Sequence, residues 1–535
     1  MKRTLIDELT ELQTAHGWLR REDLEALSRR TDRPLYELQG LLSFYPHFRT
    51  EPPRRHEVTL CRDLSCHLAG GEAGGEAVGA ALRDRDDASV RWVSCIGRCD
   101  SAPAATVNDH PCRTGEVIDI VAGAEPPPVE AVSPPPGGWP TDPYASRHEH
   151  YGTYRRAIAG EVAAAHIVEQ LKASGLRGMG GAGFPTGSKW ELVAAEPDAI
   201  KFVVCNADES EPGTFKDREI LRQLPHLVLE GMLLGMHVVG SREAIVFLRH
   251  EYGPEADAFA LELERARSLG LLNGDGAGDR SVEIFTSPGG YILGEETALL
   301  ECLEGKRGEP RNKPPFPGTK GLWGKPTLIN NVETFHHVPG IVALGVDGWN
   351  GSGLRGHAGY KFISVSGDVE RPGVHCIPMG TTVGELIDRC GGVSGGRPLL
   401  GFAPGGASSN FMLGDRADVE LDFASLQEAG SMLGSGALVV VAEGSDLLAL
   451  ATNVLAFFSN ESCGKCVPCR VGSRKAVEMM RDVLSGAGAD GWERTVEELE
   501  ETLRLTSICG LGQVALGPVL SVLHMRGTPE PAPMR

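Results

Sequence analysis

Near the N-terminus apolar side chains recur at helical spacing: Leu5, Leu9 and Leu12, then Leu24 and Leu27. Positions three or four apart share one helix face, so residues 1–50 read as short amphipathic helices. From Glu57 the pattern changes. EVTLC and SVRWVSC are short runs that each end on a cysteine, and they predict strands of a small α/β unit over 51–123. Ala124–Pro143 is rich in proline and glycine and has no period. It reads as a stiff linker, 124–144. Beyond it the strands KFVVC (201–205), EAIVFLR (243–249) and VEIFT (282–286) alternate with helical stretches. That alternation predicts a mostly parallel sheet covered by helices across 145–350. Two strand-like runs and one short helix within 360–392 suit a small α+β module, 351–435. After about residue 445 the spacing is helical almost to the end, so 436–535 is expected to be a helical bundle. The fold class is a multidomain α/β protein.

The 535 residues exceed what one core accommodates. With 52 basic against 72 acidic residues the net charge is −20, the wrong sign for a free nucleic-acid binder. The longest apolar run, Leu447–Phe458, carries Thr452 and Asn453 and is too short to span a bilayer. The first residues carry acids where a secretory signal needs an apolar core. A cytoplasmic, soluble chain is expected.

Among 13 cysteines the spacing is informative. Cys463, Cys466 and Cys469 form C-x2-C-x2-C with Cys509 downstream, a 3+1 arrangement that favours a 4Fe–4S cluster over zinc, which more often takes two separate pairs. Cys61, Cys66, Cys95 and Cys99 pair two with two, which suits a 2Fe–2S cluster or zinc. His67, beside Cys66, reads as a surface histidine. Cys112, Cys205, Cys302, Cys376 and Cys390 read as small buried hydrophobes.

The stretch GLRGMGGAGFPTGSKW (175–190) contains a G-x-G-x-x-G spelling at Gly178, Gly180 and Gly183. A Rossmann phosphate loop needs a strand before it. Here the preceding residues repeat apolar side chains at helical spacing (Ala165, Val168, Leu171), so the loop follows a helix. Three further segments accompany it: NADESEPGTFKDRE after a strand, Gly294-Glu295-Glu296 at a helix start with a Lys/Arg cluster beyond, and PTLINNVET. Glycine loops with adjacent acids and amides suit a flavin plus a dinucleotide, although each alone also suits a tight turn with solvated acids.

Together the motifs RGMGGAGFPTG, NADESEPGTFKDR, GEETALLE, KPPFP and SCGKCVPCR resemble the FMN- and NADH-binding flavoprotein subunit of respiratory complex I and its relatives. The resemblance covers Ala145 to about Gly527. The chain before the linker resembles the thioredoxin-like 2Fe–2S subunit of the same enzymes, fused ahead of the flavoprotein. The resemblance implies a Rossmann-like FMN/NAD(H) domain, a ubiquitin-like SLBB domain and a C-terminal helical 4Fe–4S domain. It implies that Gly178, Gly180, Gly181 and Lys189 contact FMN or NAD(H). Asn206, Asp208 and Glu209 would hold FMN and its ribityl chain, with Tyr291, Gly294, Asn330 and Asn331. Glu211, Glu295, Glu296 and Lys313 would line the nucleotide side, with Glu296 nearest the nicotinamide. Phe184 and Phe316 would sandwich adenine. Two positions depart from the family: Leu192 stands where relatives often have an aromatic, and Leu293 where a cysteine often precedes GEE.

The implied function is a diaphorase subunit that passes electrons between NAD(H) and iron–sulfur clusters through FMN. The fused N-terminal unit points first to a molybdenum or tungsten formate dehydrogenase, then to an NAD-reducing hydrogenase, then to complex I. In each, a large catalytic subunit with further clusters is the expected partner. A zinc-bearing, non-enzymatic scaffold is the alternative of another class.

Overall fold

The computed structural model describes residues 3–129, 138–272 and 280–525, so the expected linker lies partly outside the described residues. Helices α1 (Leu5–His16), α2 (Arg21–Thr31) and α3 (Leu35–Leu42) open the chain. Thr4 and Asp7 form a capping box at the start of α1, and Gly17 ends it in the left-handed region at φ 78°. The apolar faces of these helices are not closed among themselves. Ile6, Leu9, Leu38 and Tyr45 share one core with Leu293, Leu299 and Leu303 from the far side of the linker.

Strands β1 (His56–Cys61), β2 (Ala88–Val93), β3 (Ala104–Val107) and β4 (His110–Arg113) form a sheet in the order β2-β1-β3-β4. β1 and β2 are parallel, and β3 and β4 return antiparallel. Cys61 closes β1 and Cys95 follows β2 after one intervening residue, so both cysteines lie at strand ends.

The central unit is a parallel sheet of β5 (Phe202–Ala207), β6 (Glu243–Arg249), β7 (Ser281–Ser287) and β8 (Thr327–Asn331), ordered β7-β6-β5-β8. β8 is not read as a strand from sequence, because Leu328 and Ile329 alone carry its apolar signal. The helix Pro225–Val239 is almost wholly buried and crosses Val332–Asn350 closely. A Cβ on Gly231 would lie 2.0 Å from the Phe335 carbonyl oxygen, so only glycine permits this approach.

A third sheet contains β9 (Tyr360–Gly367), β10 (Gly373–Pro378), β11 (Leu399–Ala403), β12 (Met412–Leu413) and β13 (Ala437–Ala442), in the order β10-β9-β13-β11-β12. The boundary expected at 435/436 cuts through this sheet, since β13 is its middle strand. The helical unit begins at Leu447–Asn460, capped by Asp446, and continues through Arg474–Leu484, Trp492–Thr506 and Gly517–Met525. Among the described residues no helix is long and apolar enough to cross a membrane.

Candidate functional site

The glycine loop does follow a helix. Ala164–Ala173 ends ahead of Gly175, which turns at φ 65°. The loop closes on itself through the Gly178 N–H to the Phe184 carbonyl at 2.8 Å. Arg177 Nε donates to the Gly183 carbonyl at 2.6 Å. The Met179 N–H donates to Thr334 Oγ1 at 2.9 Å, fixing the loop against the helix after β8. A Cβ on Gly180 would lie 2.9 Å from Asn331 Cβ. The loop therefore lies across the carboxyl ends of β5 and β8, where open α/β sheets bind ligands.

Register places the polar residues there. Asn206 pairs with Asn331 and Cys205 with Asn330 across the parallel strands. Asn206 Nδ2 donates to the Gly294 carbonyl at 2.9 Å. Asn330 Oδ1 accepts from Trp190 Nε1 at 2.9 Å. Asp208 is 1% exposed, and its Oδ1 has no hydrogen-bond partner. Burial pushes its carboxyl up to about 8. A buried orphan acceptor just past the carboxyl end of β5 fits a ligand rich in hydroxyl groups, such as the ribityl chain of a flavin.

Two expected cofactor contacts also bond within the protein. Glu209 accepts the N–H groups of Asp217 and Arg218 at 2.8 and 3.1 Å, and the Tyr252 hydroxyl at 2.9 Å. It caps the helix Lys216–Gln223, and both of its oxygens are engaged within the protein. Asn331 caps the helix after β8 through the Glu333 N–H at 2.9 Å, and its Nδ2 donates to Asp217 at 2.5 Å. Both side chains are half-buried and held in place by bonds within the protein.

The remaining residues line the opposite side. Glu295 caps Glu296–Leu303 by accepting from the Thr297 and Ala298 N–H groups. Lys313 Nζ lies 2.9 Å from Glu295 and 3.0 Å from Glu296. Lys189 donates to the Ile329 carbonyl at 3.1 Å and lies 4.0 Å from Glu296. Burial lowers its pKa. Glu211 accepts the Ser408 N–H at 2.8 Å and the Tyr291 hydroxyl at 3.4 Å. Phe184, Leu192 and Phe316 expose 46%, 61% and 59% of their surfaces, an apolar rim suited to a flat ring.

The first cysteine set is buried and drawn together. Cys95 and Cys99 sulfurs lie 3.5 Å apart. The Gly97, Ala104 and Gly213 N–H groups point at the sulfurs of Cys95, Cys66 and Cys99 at 3.3, 3.3 and 3.4 Å. Convergent thiols with N–H donors fit a thiolate-bound cluster. His67 is half-buried. In the second set, Cys466 and Cys469 are in side-chain contact, and Lys465, Leu511 and Gly512 N–H groups face Cys463 and Cys509. Of the other cysteines, Cys112, Cys205, Cys302 and Cys390 are buried and Cys376 is half-buried.

Glu461 joins these sites, and sequence reasoning does not find it. One oxygen accepts Ser94 Oγ at 2.5 Å, just before Cys95, and the other accepts the Tyr291 N–H at 2.9 Å. Asn453, the polar break in the longest apolar run, binds the Leu64 N–H at 2.7 Å and the Arg62 carbonyl at 3.0 Å. Arg218 and Arg249, buried cations of the central unit, reach the loop between Cys95 and Cys99.

Comparison with known proteins follows the same order along the chain. Family profiles match for a thioredoxin-like 2Fe-2S ferredoxin at 1–120, the Nuo51 FMN-binding domain at 171–340, an SLBB domain at 362–399, and the NADH-ubiquinone oxidoreductase-F iron-sulfur binding region at 449–526. The first takes in the N-terminal helices together with the sheet that follows. The second F-type subunit of the NADH-quinone oxidoreductase of Rhizobium meliloti is 41% identical over 389 residues, 71% of this chain and 92% of that protein. The HndC subunit of the NADP-reducing hydrogenase of Solidesulfovibrio fructosivorans is 39% identical over 67% of this chain and 74% of its own length. A chain in the crystal structure of an NAD+-reducing NiFe hydrogenase in the H2-reduced state superposes with a TM-score of 0.85 at 30% identity. That match covers 98% of this chain and 92% of the other.

Proposed function

The chain belongs to the NADH-binding FMN and iron–sulfur flavoprotein family, and from that premise we propose that it is the diaphorase subunit of a larger NAD(H)-linked oxidoreductase. Its chemistry is electron transfer between NAD(H) and 2Fe–2S and 4Fe–4S clusters by way of FMN. When bound, FMN supplies the exchange between the two-electron chemistry of NAD(H) and the one-electron chemistry of the clusters. The zinc scaffold loses its support, because both cysteine sets fall in iron–sulfur profiles.

The chain's own residues bind, orient and screen. Backbone from Gly178 to Gly181 forms the cradle, and Asp208 accepts from a flavin hydroxyl. Asn206, Tyr291, Gly294 and Asn330 hold the flavin edge. Glu211, Glu295, Glu296 and Lys313 line the nucleotide side, with Glu296 at the nicotinamide, and Phe184 and Phe316 clasp adenine. Lys189 supplies a desolvated cation for a phosphate. The four cysteines 61, 66, 95 and 99 hold the 2Fe–2S cluster, and 463, 466, 469 and 509 the 4Fe–4S cluster. The observation that carries this reading is the Glu461 carboxylate, which bridges the flavin-side loop and the Cys95 loop two residues before Cys463.

For the partner, a hydrogenase large subunit now has the better support. The formate reading rests on the fused N-terminal unit, and the hydrogenase chain shares that fusion along nearly the whole length. A reducing compartment suits so many cysteines, so we place the chain in the cytoplasm. The test is NAD+ reduction by the protein purified with its natural large subunit, with H2 and with formate as alternative donors. Anaerobic NADH should bleach the flavin band of the full chain. Retained FMN with no bleaching would overturn the diaphorase reading.

A further inference from the structure

The 2Fe–2S site is not built by the N-terminal unit alone. The Gly213 N–H, from the loop between β5 and the helix Lys216–Gln223, donates to Cys99 Sγ. Arg249 ends β6 and is 3% exposed. Its Nη2 donates to the Cys95 carbonyl at 2.8 Å, and its Nη1 donates to the Glu209 carbonyl. Hydrogen bonds to ligand sulfurs, net charge and burial set the potential of such clusters. We infer that the flavin-binding unit sets the reduction potential of the 2Fe–2S cluster, with Arg249 as its main electrostatic lever. The inference rests on the ligand set proposed above.

Reduction adds one electron and one negative charge to the cluster, and no bond forms or breaks. A fixed buried cation favours the reduced form and raises the potential. Other charges near the loop are balanced differently. Arg218 pairs with Asp100, which lies on the cluster loop itself, at 2.6 Å. Arg98 faces Glu255 at 3.6 Å. Asp63, two residues after Cys61, is 3% exposed. Arg249 pairs with Glu251 through Nε at 3.0 Å, whereas its Nη2 faces Cys95. The pair therefore acts as a dipole whose positive end meets the cluster. Glu251 also faces His250 at 3.4 Å. Because the same guanidinium holds the Glu209 carbonyl, it links the cluster loop to the flavin-side loop.

The test is an EPR-monitored redox titration of the full chain with clusters and FMN in place. Arg249→Met, which keeps the bulk and removes the charge, should cut the reduced-to-oxidised ratio at the original midpoint about tenfold. That equals about 59 mV for a one-electron couple. Arg249→Lys should stay within about threefold. Glu251→Gln, which leaves the guanidinium unopposed, should move the midpoint the other way. It keeps the question decidable if Arg249→Met fails to fold. The 4Fe–4S signal and FMN content should be unchanged. An intact 2Fe–2S signal with an unmoved midpoint in Arg249→Met, equal shifts for Lys and Met, or a downward shift in Glu251→Gln would overturn the inference alone. Absence of any 2Fe–2S signal from the unaltered chain would overturn the ligand set and, with it, this inference.

Discussion

Removing Asp100 tests what holds the N-terminal unit against the flavin-binding unit. Arg218 is 2% exposed and reaches across the boundary. Its Nη2 lies 2.6 Å from Asp100 Oδ2, and its Nη1 donates to the Gly97 carbonyl at 2.7 Å. Asp100 is held below the usual carboxylate range. Burial alone would raise it, and the guanidinium overcomes that. Deleting one partner of a buried pair costs about 3–5 kcal/mol, because the other charge stays buried without compensation. Here the loss belongs at the low end, about 3 kcal/mol, since Glu219 remains 3.1 Å from the same guanidinium. Opening of the N-terminal unit should then become roughly a hundredfold more frequent. Amide hydrogen exchange in the full chain, followed at β1 and β3, reads that opening in the regime where exchange tracks the open population. Asp100→Leu combined with Arg218→Met should restore much of the loss, because a buried pair replaced by apolar side chains is often neutral. Less than a threefold change in Asp100→Ala would refute this account. So would a double variant that costs the sum of the two single changes.

Cys466→Ala should abolish the 4Fe–4S EPR signal while FMN stays bound, since the helical unit holds none of the flavin contacts proposed above; an unchanged set of cluster signals would remove Cys466 from the ligands. Glu296→Gln should retain FMN and lose most NADH turnover in steady-state assays, and an unchanged rate would take it out of the site. Asp208 has a folded pKa of about 8 against an ordinary 3.8, so its contribution to stability is present below about pH 4 and lost as pH rises through 8. In flavin-stripped protein Asp208→Asn should therefore flatten the pH dependence by about 1.4 kcal/mol per unit between pH 5 and 7; urea midpoints that keep the original slope would contradict the burial argument. A chain starting at Ala145 should keep the flavin segments yet leave the Leu293–Leu303 face uncovered, so it should be less stable to heat than the full chain. Equal melting temperatures would show that the shared core adds nothing.

The sequence pattern carries the element types well and the partners of those elements poorly. Helical spacing before Gly175 correctly separates this loop from a Rossmann turn, because a period is a local property. The Leu5–Leu9–Leu12 stripe predicts a helix, but no period says that its face meets Leu299 and Leu303 some three hundred residues on. The same limit explains Glu209 and Asn331. A motif places them beside the cofactor, while the turn geometry that makes them helix caps appears only once β5 and β8 are side by side. Lys216, Glu333 and Lys361 carry no local signal of burial, yet all are fully buried in one network, with Lys216 2.9 Å from Glu333. Burial of that kind depends on three segments meeting, and no segment announces it alone.

The linker shows how a local feature misleads about function. About twenty residues of proline-rich chain reach far enough to leave the two halves independent. Contacts outside the linker hold the two halves together, and the linker itself docks, its Pro127 carbonyl meeting His110 at 2.7 Å and its Val129 carbonyl accepting from Arg222 at 3.1 Å. Arg218 and Arg249 hold the Cys95–Cys99 loop, Asn453 holds Arg62 and Leu64, and Glu461 holds Ser94. These contacts need no covalent tether, and the same surfaces would hold two separate chains in the same arrangement. Fusion therefore adds effective concentration to contacts that would form without it. Residues that discriminate among partners are to be sought on the surface beside the proposed 4Fe–4S ligands, where Val467 and Val471 are both more than half exposed.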